Sequence, residues 1–178
     1  TGVITLLTNA VFGPQQLKVL DGYLYVAEAS AHVVSRIDLT TGTIQIVAGT
    51  GATGFTGDGG PATAASLYGP RDLAFHDGKM YIADRLNARV RVVDLASGII
   101  GTFAGTGFNE WGRDGFPASL VGVTPGALAV SGNILLVSDD ATSRVRTIDL
   151  DTGVINTLAA TGMAGFSGHY GLGPDARV

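Results

Sequence analysis

The sequence contains no cysteine, which excludes disulfides, thiolate metal sites and cysteine nucleophiles together. Charged residues are few, 15% of the chain, and acidic residues outnumber basic ones by 15 to 11, giving a formal net charge of −4. Because so small a basic share offers no footprint for a phosphate backbone, we expect no nucleic-acid partner. No run of 18 apolar residues occurs, so we expect no membrane insertion.

Recognisable catalytic motifs are also missing. No G-x-S-x-G, H-E-x-x-H or phosphate-loop sequence is present. His32, His76 and His169 are the only histidines, too few for a convincing catalytic zinc site. We therefore predict a chain that is not an enzyme and needs no cofactor. The sequence begins at Thr1 with no signal-peptide pattern, and we expect it to be a mature product or an excised portion of something longer.

Glycine is abundant, with 27 residues, and 46% of the chain is hydrophobic. Many glycines among Val, Ile, Leu and Thr favour short strands joined by tight turns over disorder.

An internal repeat is the strongest signal. Pro14, Pro70 and Pro125 are separated by 56 and 55 residues. A second set of equivalent positions is acidic in all three copies and has the same spacings of 56 and 55 residues: Glu28, Asp84 and Asp139. Fixed periods of this kind indicate a repeat architecture.

Each repeat contains four short strand candidates, which in the middle copy are 72–76, 79–84, 89–95 and 99–104. The dipeptide Asp77-Gly78 between the first two is a strong hairpin signal. No segment shows a sustained period of 3.6 residues, so we expect very little helix. Four antiparallel strands joined by hairpins and then repeated are typical of a β-propeller blade.

The repeat divides the chain into one propeller domain with five parts. We predict the last strand of a preceding blade at 1–10, blade 1 at 11–49, an inter-blade loop and blade 2 at 50–105, an inter-blade loop and blade 3 at 106–160, and a loop leading to a following blade at 161–178. Closed propellers have about 4 to 8 blades. We therefore expect the chain to be part of a larger, six-blade-like propeller or assembly.

An insertion of about 15 residues separates successive copies, but none lies between the strand copy at 2–7 and Gly13. One aromatic recurs in it, as Phe55, Trp111 and Phe166. We interpret this ring as pinning the loop to the blade edge, with ligand stacking by Trp111 as the alternative. Asp58 precedes two glycines, which allows a calcium hypothesis, but a lone carboxylate favours a turn cap.

The segment Gly69-Pro70-Arg71-Asp72-Leu73-Ala74-Phe75, continued by Tyr81-Ile82-Ala83-Asp84 and Asn87-Ala88-Arg89-Val90-Arg91, closely resembles the NHL-repeat pattern. The loop that starts at Gly54-Phe55 resembles the glycine-rich linker of extracellular and bacterial NHL proteins. The resemblance covers essentially the whole chain and implies an all-β propeller of NHL type with three four-stranded antiparallel blades and a partial blade. The first copy departs from the pattern, with Val33 in place of Arg89.

Two sets of residues are singled out by this repeat. The pairs Asp84 with Arg89 and Asp139 with Arg144 are predicted to be structural ion pairs, because a unique active site would not recur. The most differentiated loop combines an aromatic with an arginine, types favoured in interface hot spots. Its candidate interaction residues are Phe108, Asn109, Glu110, Trp111 and Arg113.

The sequence therefore favours a non-catalytic, extracellular or cell-surface scaffold that binds a protein partner or itself through inter-blade loops and propeller faces. One alternative is a structural subunit of an extracellular assembly or filament, joined through exposed strand edges. A second alternative is a lyase-like or ligand-sensing propeller with a site in its central channel, where His32 lies at a plausible place.

Overall fold

The structure, a computed structural model, describes residues 11–109 and 112–159. Throughout these ranges the chain is all-β, with short 3-10 turns and no α-helix. No helix of the described part is long and apolar enough to cross a membrane. The strand predicted within 1–10, the loop predicted at 161–178 and the ring of Phe166 lie outside the described residues.

Three four-stranded antiparallel sheets follow one another along the chain. Blade 1 consists of β1 (Pro14–Leu20), β2 (Tyr23–Glu28), β3 (Val33–Asp38) and β4 (Ile44–Ala48). Blade 2 consists of β5 (Pro70–His76), β6 (Lys79–Asp84), β7 (Arg89–Asp94) and β8 (Ile100–Ala104). Blade 3 consists of β10 (Pro125–Ser131), β11 (Ile134–Asp139), β12 (Arg144–Asp149) and β13 (Val154–Ala159), with the two-residue β9 (Phe116–Pro117) added to its outer edge.

Local sequence explains the strand pairing. Asp77 and Gly78 both have positive φ, 44° and 68°, which is the conformation that a two-residue hairpin turn requires. This turn sets His76 opposite Lys79 and Phe75 opposite Met80. The observed strands of blade 2 begin and end within two residues of the predicted ones.

The core lies between the blades. One buried cluster joins Tyr25 and Ala27 of blade 1 to Leu73 and Met80 of blade 2, and a second joins Tyr81 and other blade 2 residues to blade 3. The first strand of blade 2 contacts the first strands of both neighbours. Blades that stand side by side, with their first strands adjacent and their faces shared, form a propeller arrangement.

Each inter-blade loop lies along the outer strand of the blade that follows it. A short 3-10 turn at Ala62–Ala64 directly follows Pro61 in the first of these loops. Pro61 forms an isolated bridge with Ile99 beside β8, and in the next loop Phe116 pairs with Ile155 of β13. The loops are thus held against the blades along part of their length.

Candidate interaction surfaces

The loop that precedes blade 2 is fastened by polar and aromatic contacts. The side-chain Nδ2 of Asn87 donates a 2.6 Å hydrogen bond to the carbonyl oxygen of Gly54. The ring of Phe55 lies 3.7 Å from the guanidinium carbon of Arg89, which is cation–π stacking. The interpretation of Phe55 as a ring that pins the loop to the blade edge requires a contact of this kind.

A buried arginine makes the deepest contact between this loop and blade 2. The side chain of Arg91 is fully buried, 3.5 Å from a carboxylate oxygen of Asp84 and 2.5 Å from one of Asp58. The hydroxyl of Thr102 donates to the other oxygen of Asp58 at 2.7 Å. Asp58 therefore joins the loop to the blade instead of capping a turn, and the turn-cap interpretation is wrong.

Blade 3 repeats this arrangement one step later. Arg146 is fully buried, 3.8 Å from Asp139 and 3.0 Å from Asp114 of the loop. Burial lowers the pKa of Arg146, against the raising effect of the two carboxylates. The predicted partner of Asp139 was Arg144, and the structure corrects it to Arg146.

The predicted pairing of Asp84 with Arg89 is wrong for a reason that depends on position along the strand. Arg89 is the first residue of β7, and its guanidinium donates hydrogen bonds of 2.9 and 2.8 Å to the carbonyl oxygens of Asn87 and Thr106. Arg91 lies deeper in the same strand, where carboxylates balance its charge. A buried guanidinium needs such partners, because an unpaired buried charge costs several kcal/mol.

Asp84 has an unusual protonation equilibrium. Burial raises the pKa of Asp84 to about 6, although hydrogen bonds from Asn87 and from the backbone of Tyr68, and the charge of Arg91, act to lower it. A carboxyl whose folded-state pKa exceeds its unfolded value stabilises the fold fully below the unfolded value, 3.8. That contribution is lost as the pH rises through about 6.

The loop singled out for interactions is described only in part. Phe108 is 65% exposed, whereas the side-chain oxygen of Asn109 accepts a 2.6 Å hydrogen bond from the hydroxyl of Thr124. The carbonyl oxygen of Arg113 accepts a 3.4 Å hydrogen bond from Arg146. Glu110 and Trp111 lie outside the described residues. The structure thus gives this loop an anchored base and one exposed ring.

A charged cluster that no sequence motif marks lies at the start of the inner strands. Asp140 pairs with Arg71 at 2.7 Å and with Arg85 at 3.0 Å. Asp72 accepts a 2.7 Å hydrogen bond from the backbone N–H of Leu128, which links blades 2 and 3. Part of this cluster lines a cavity of about 260 Å³. These residue types do not recur at the equivalent positions of the other blades, so a comparison of the repeats does not reveal them.

The histidine considered for a channel site has a different neighbourhood. His32 Nδ1 accepts a 3.2 Å hydrogen bond from the backbone N–H of Gly69, and its ring meets that of Tyr68 edge-on. It therefore connects blade 1 to the entry of blade 2. Within 11–109 and 112–159, no group of three or more His, Cys, Asp or Glu side chains is arranged to hold a metal ion; the calcium hypothesis stays a prediction.

The curated proteins that resemble this chain include NHL-repeat proteins. No family model matches the chain. It is similar to NHL repeat-containing protein 2 of Bos taurus, 24% identical over 194 residues, covering 93% of this chain and 27% of that protein. The Gallus gallus counterpart is 27% identical over 169 residues, covering 82% and 23%. The chain spans about a quarter of the length of these curated relatives.

Solved structures give the same architecture. An auxiliary nutrient binding protein from Bacteroides ovatus superposes with a TM-score of 0.60 at 25% identity, covering 76% of this chain and 35% of that one. A chain of the nidogen/laminin complex superposes with a TM-score of 0.58 at 16% identity, covering 85% and 49%. At that identity the second likeness concerns the fold alone.

Proposed function

Because the chain is a run of NHL-type β-propeller blades, we propose that it is a non-catalytic binding or scaffolding surface that engages a protein partner through its inter-blade loops. The loop before blade 3 carries the proposal. An ion pair of Asp114 with the buried Arg146 and a hydrogen bond of Asn109 hold it to the blade, yet Phe108 and Leu120 are 65% and 72% exposed. An apolar surface on an anchored loop loses little conformational entropy on binding.

One structural neighbour, 25% identical, is described as an auxiliary nutrient binding protein, which supports a binding role. A secreted or cell-surface location for the present chain is part of the proposal, because its glycine-rich loop resembles the linker of extracellular and bacterial NHL proteins. Phe and Arg side chains on one loop suit a protein interface, where aromatic residues and arginine are enriched.

The proposal predicts that binding depends on Phe108 and Arg113. Immobilised wild-type chain should retain one or more proteins from extracellular and cell-surface extracts of the source organism. The double variant Phe108→Ala/Arg113→Ala should retain at least about tenfold less, since interface anchors typically contribute more than 1 kcal/mol each. Quantitative mass spectrometry of the retained proteins measures the ratio.

Leu39→Ala is the matched control. Leu39 is also exposed, at 42%, but it lies in the turn between β3 and β4 of blade 1 and belongs to no inter-blade loop. This variant should retain the same proteins as the wild type. Equal retention by the double variant, or no specific retention by the wild type, would overturn the proposal.

A further inference from the structure

The inserted loop that covers the outer strands of blades 2 and 3 has no counterpart in the sequence directly before blade 1. The insertion precedes Gly69 and Thr124, but the sequence between the strand copy at 2–7 and Gly13 runs without it. Within the described residues, no inter-blade loop therefore covers the surface of β3 and β4 in the way that the loop covers blade 2.

The side chains that hold the loop in blade 2 are replaced in blade 1. In blade 2 the loop is held by four polar residues: Asn87, Arg89, Arg91 and Thr102. The residues of blade 1 at the same four places are Ala31, Val33, Ser35 and Ile46. Blade 1 has thus lost the polar anchors together with the loop, and apolar groups have taken most of their places.

A cavity of about 560 Å³ lies at this position in blade 1. Its walls are mainly apolar and include Phe12, Val33, Ile44 and Ile46. Phe12 is 61% exposed and Ile46 is 48% exposed, so the walls remain open to an incoming group.

A buried carboxylate also lines the cavity. Glu28 is 1% exposed and stands at the place of Asp84 and Asp139. Its two oxygens accept hydrogen bonds from the backbone N–H of Phe12 and from the hydroxyl of Ser35. A carboxylate has about four acceptor positions, so two remain. Among the described residues Glu28 forms no ion pair, whereas its two counterparts each face a buried arginine.

We propose that this pocket of blade 1 binds an arginine side chain of a partner protein, with an aromatic residue beside it. The guanidinium would take the place that Arg91 fills in blade 2 and donate to Glu28, a charge-assisted contact that arginine makes with two parallel bonds. The aromatic ring would pack on the apolar walls as Phe55 packs beside Arg91, where the ring centroid and guanidinium carbon are 4.8 Å apart. Glu28 favours arginine over a neutral group because a buried carboxylate gains most from a cation that reaches it.

Binding of a short peptide tests this pocket directly. The probe is the acetylated and amidated tetrapeptide Gly-Phe-Arg-Gly, and the control probe carries citrulline in place of arginine. Citrulline keeps the shape of arginine but has no charge. Isothermal titration or NMR titration of the whole chain should show the arginine peptide binding at least about tenfold more tightly than the citrulline peptide.

Two variants locate the binding. Glu28→Gln should weaken the arginine peptide at least about tenfold and leave the citrulline peptide almost unchanged. Ser35→Arg places an arginine where blades 2 and 3 already have one, so it should abolish peptide binding while raising the unfolding temperature. If Glu28→Gln fails to fold, the Ser35→Arg result decides the question alone.

Other results would overturn the inference. Equal affinity for both peptides, unchanged binding by Ser35→Arg, or no arginine-dependent binding at millimolar peptide would each do so. The double variant Phe108→Ala/Arg113→Ala should bind the peptide like the wild type, because its changes lie on a different loop. Failure of the pocket and failure of the Phe108 surface are therefore distinguishable.

Discussion

Replacing Arg91 with alanine is expected to lower the free energy of unfolding by about 3–5 kcal/mol at pH 7, the range seen when one partner of a buried ion pair is removed. The guanidinium is fully buried between Asp84 and Asp58, so its loss leaves Asp84 as an uncompensated buried charge. The loop also loses its deepest attachment to the blade. Chemical denaturation of the wild type and the variant measures the difference.

The loss from Arg91→Ala should be smaller at pH 5 than at pH 7. The pKa of Asp84 is already raised to about 6, and removing the nearby cation raises it further. At pH 5 the carboxyl of the variant therefore binds a proton, and the penalty for a buried charge disappears. A loss that does not change with pH would show that packing, and not charge, accounts for the effect.

Arg71→Ala is the control for Arg91→Ala. Arg71 also pairs with an aspartate, Asp140 at 2.7 Å, but its side chain is 45% exposed. Exposed ion pairs contribute about 0–1 kcal/mol, so this variant should unfold almost like the wild type. A loss as large as that of Arg91→Ala would mean that burial does not decide how much an ion pair of this chain contributes.

Gly105→Ala is expected to destabilise the chain more than Gly98→Ala by about 1–3 kcal/mol, the usual cost of forcing an added methyl group into a packed site. Both glycines have positive φ, 96° and 72°, so both changes carry a similar backbone strain of about 1–2 kcal/mol. At Gly98 a Cβ meets nothing within 4 Å. At Gly105 it would overlap the backbone carbonyl oxygen of Ala88.

Thermal and denaturant unfolding of both glycine variants tests this difference. Moving the backbone of Ala88 away from the added methyl group costs free energy, because the φ of Ala88 is already 49° and Ala88 caps the 3-10 turn between β6 and β7. The backbone around it is therefore already constrained. Equal stability of the two variants would mean that the loop leaving β8 does not approach Ala88 as closely as the structure shows.

The fold could be predicted because its determinants are local and repeated. Asp77-Gly78 specifies a hairpin, and alternating side chains specify the faces of β7, so the strands followed from the sequence alone. The recurrence of Pro14, Pro70 and Pro125 then indicated the number of sheets. Hairpins and strand faces are determined by short stretches of chain, so they can be recognised in a single sequence.

The ionic contacts could be predicted only in part, because side-chain reach decides them. Asp84 was recognised as a repeated position, but Arg89 and Arg91 both lie on the same face of β7. Only the depth of Arg91 in the strand and the return of Asp58 from the loop distinguish them. The cluster of Arg71 and Asp140 depends on three-dimensional proximity between blades, and no repeat marks it.

The three sheets stand side by side as adjoining blades, and nuclear Overhauser spectroscopy of the isotope-labelled chain is the sharpest test of this arrangement. The backbone N–H of Leu128 in β10 donates to the carboxylate of Asp72 in β5, 56 residues earlier, at 2.7 Å. A cross peak between the Leu128 amide proton and the Asp72 β-protons is the predicted result. Cross peaks within each sheet but none between β5 and β10 would contradict the propeller arrangement.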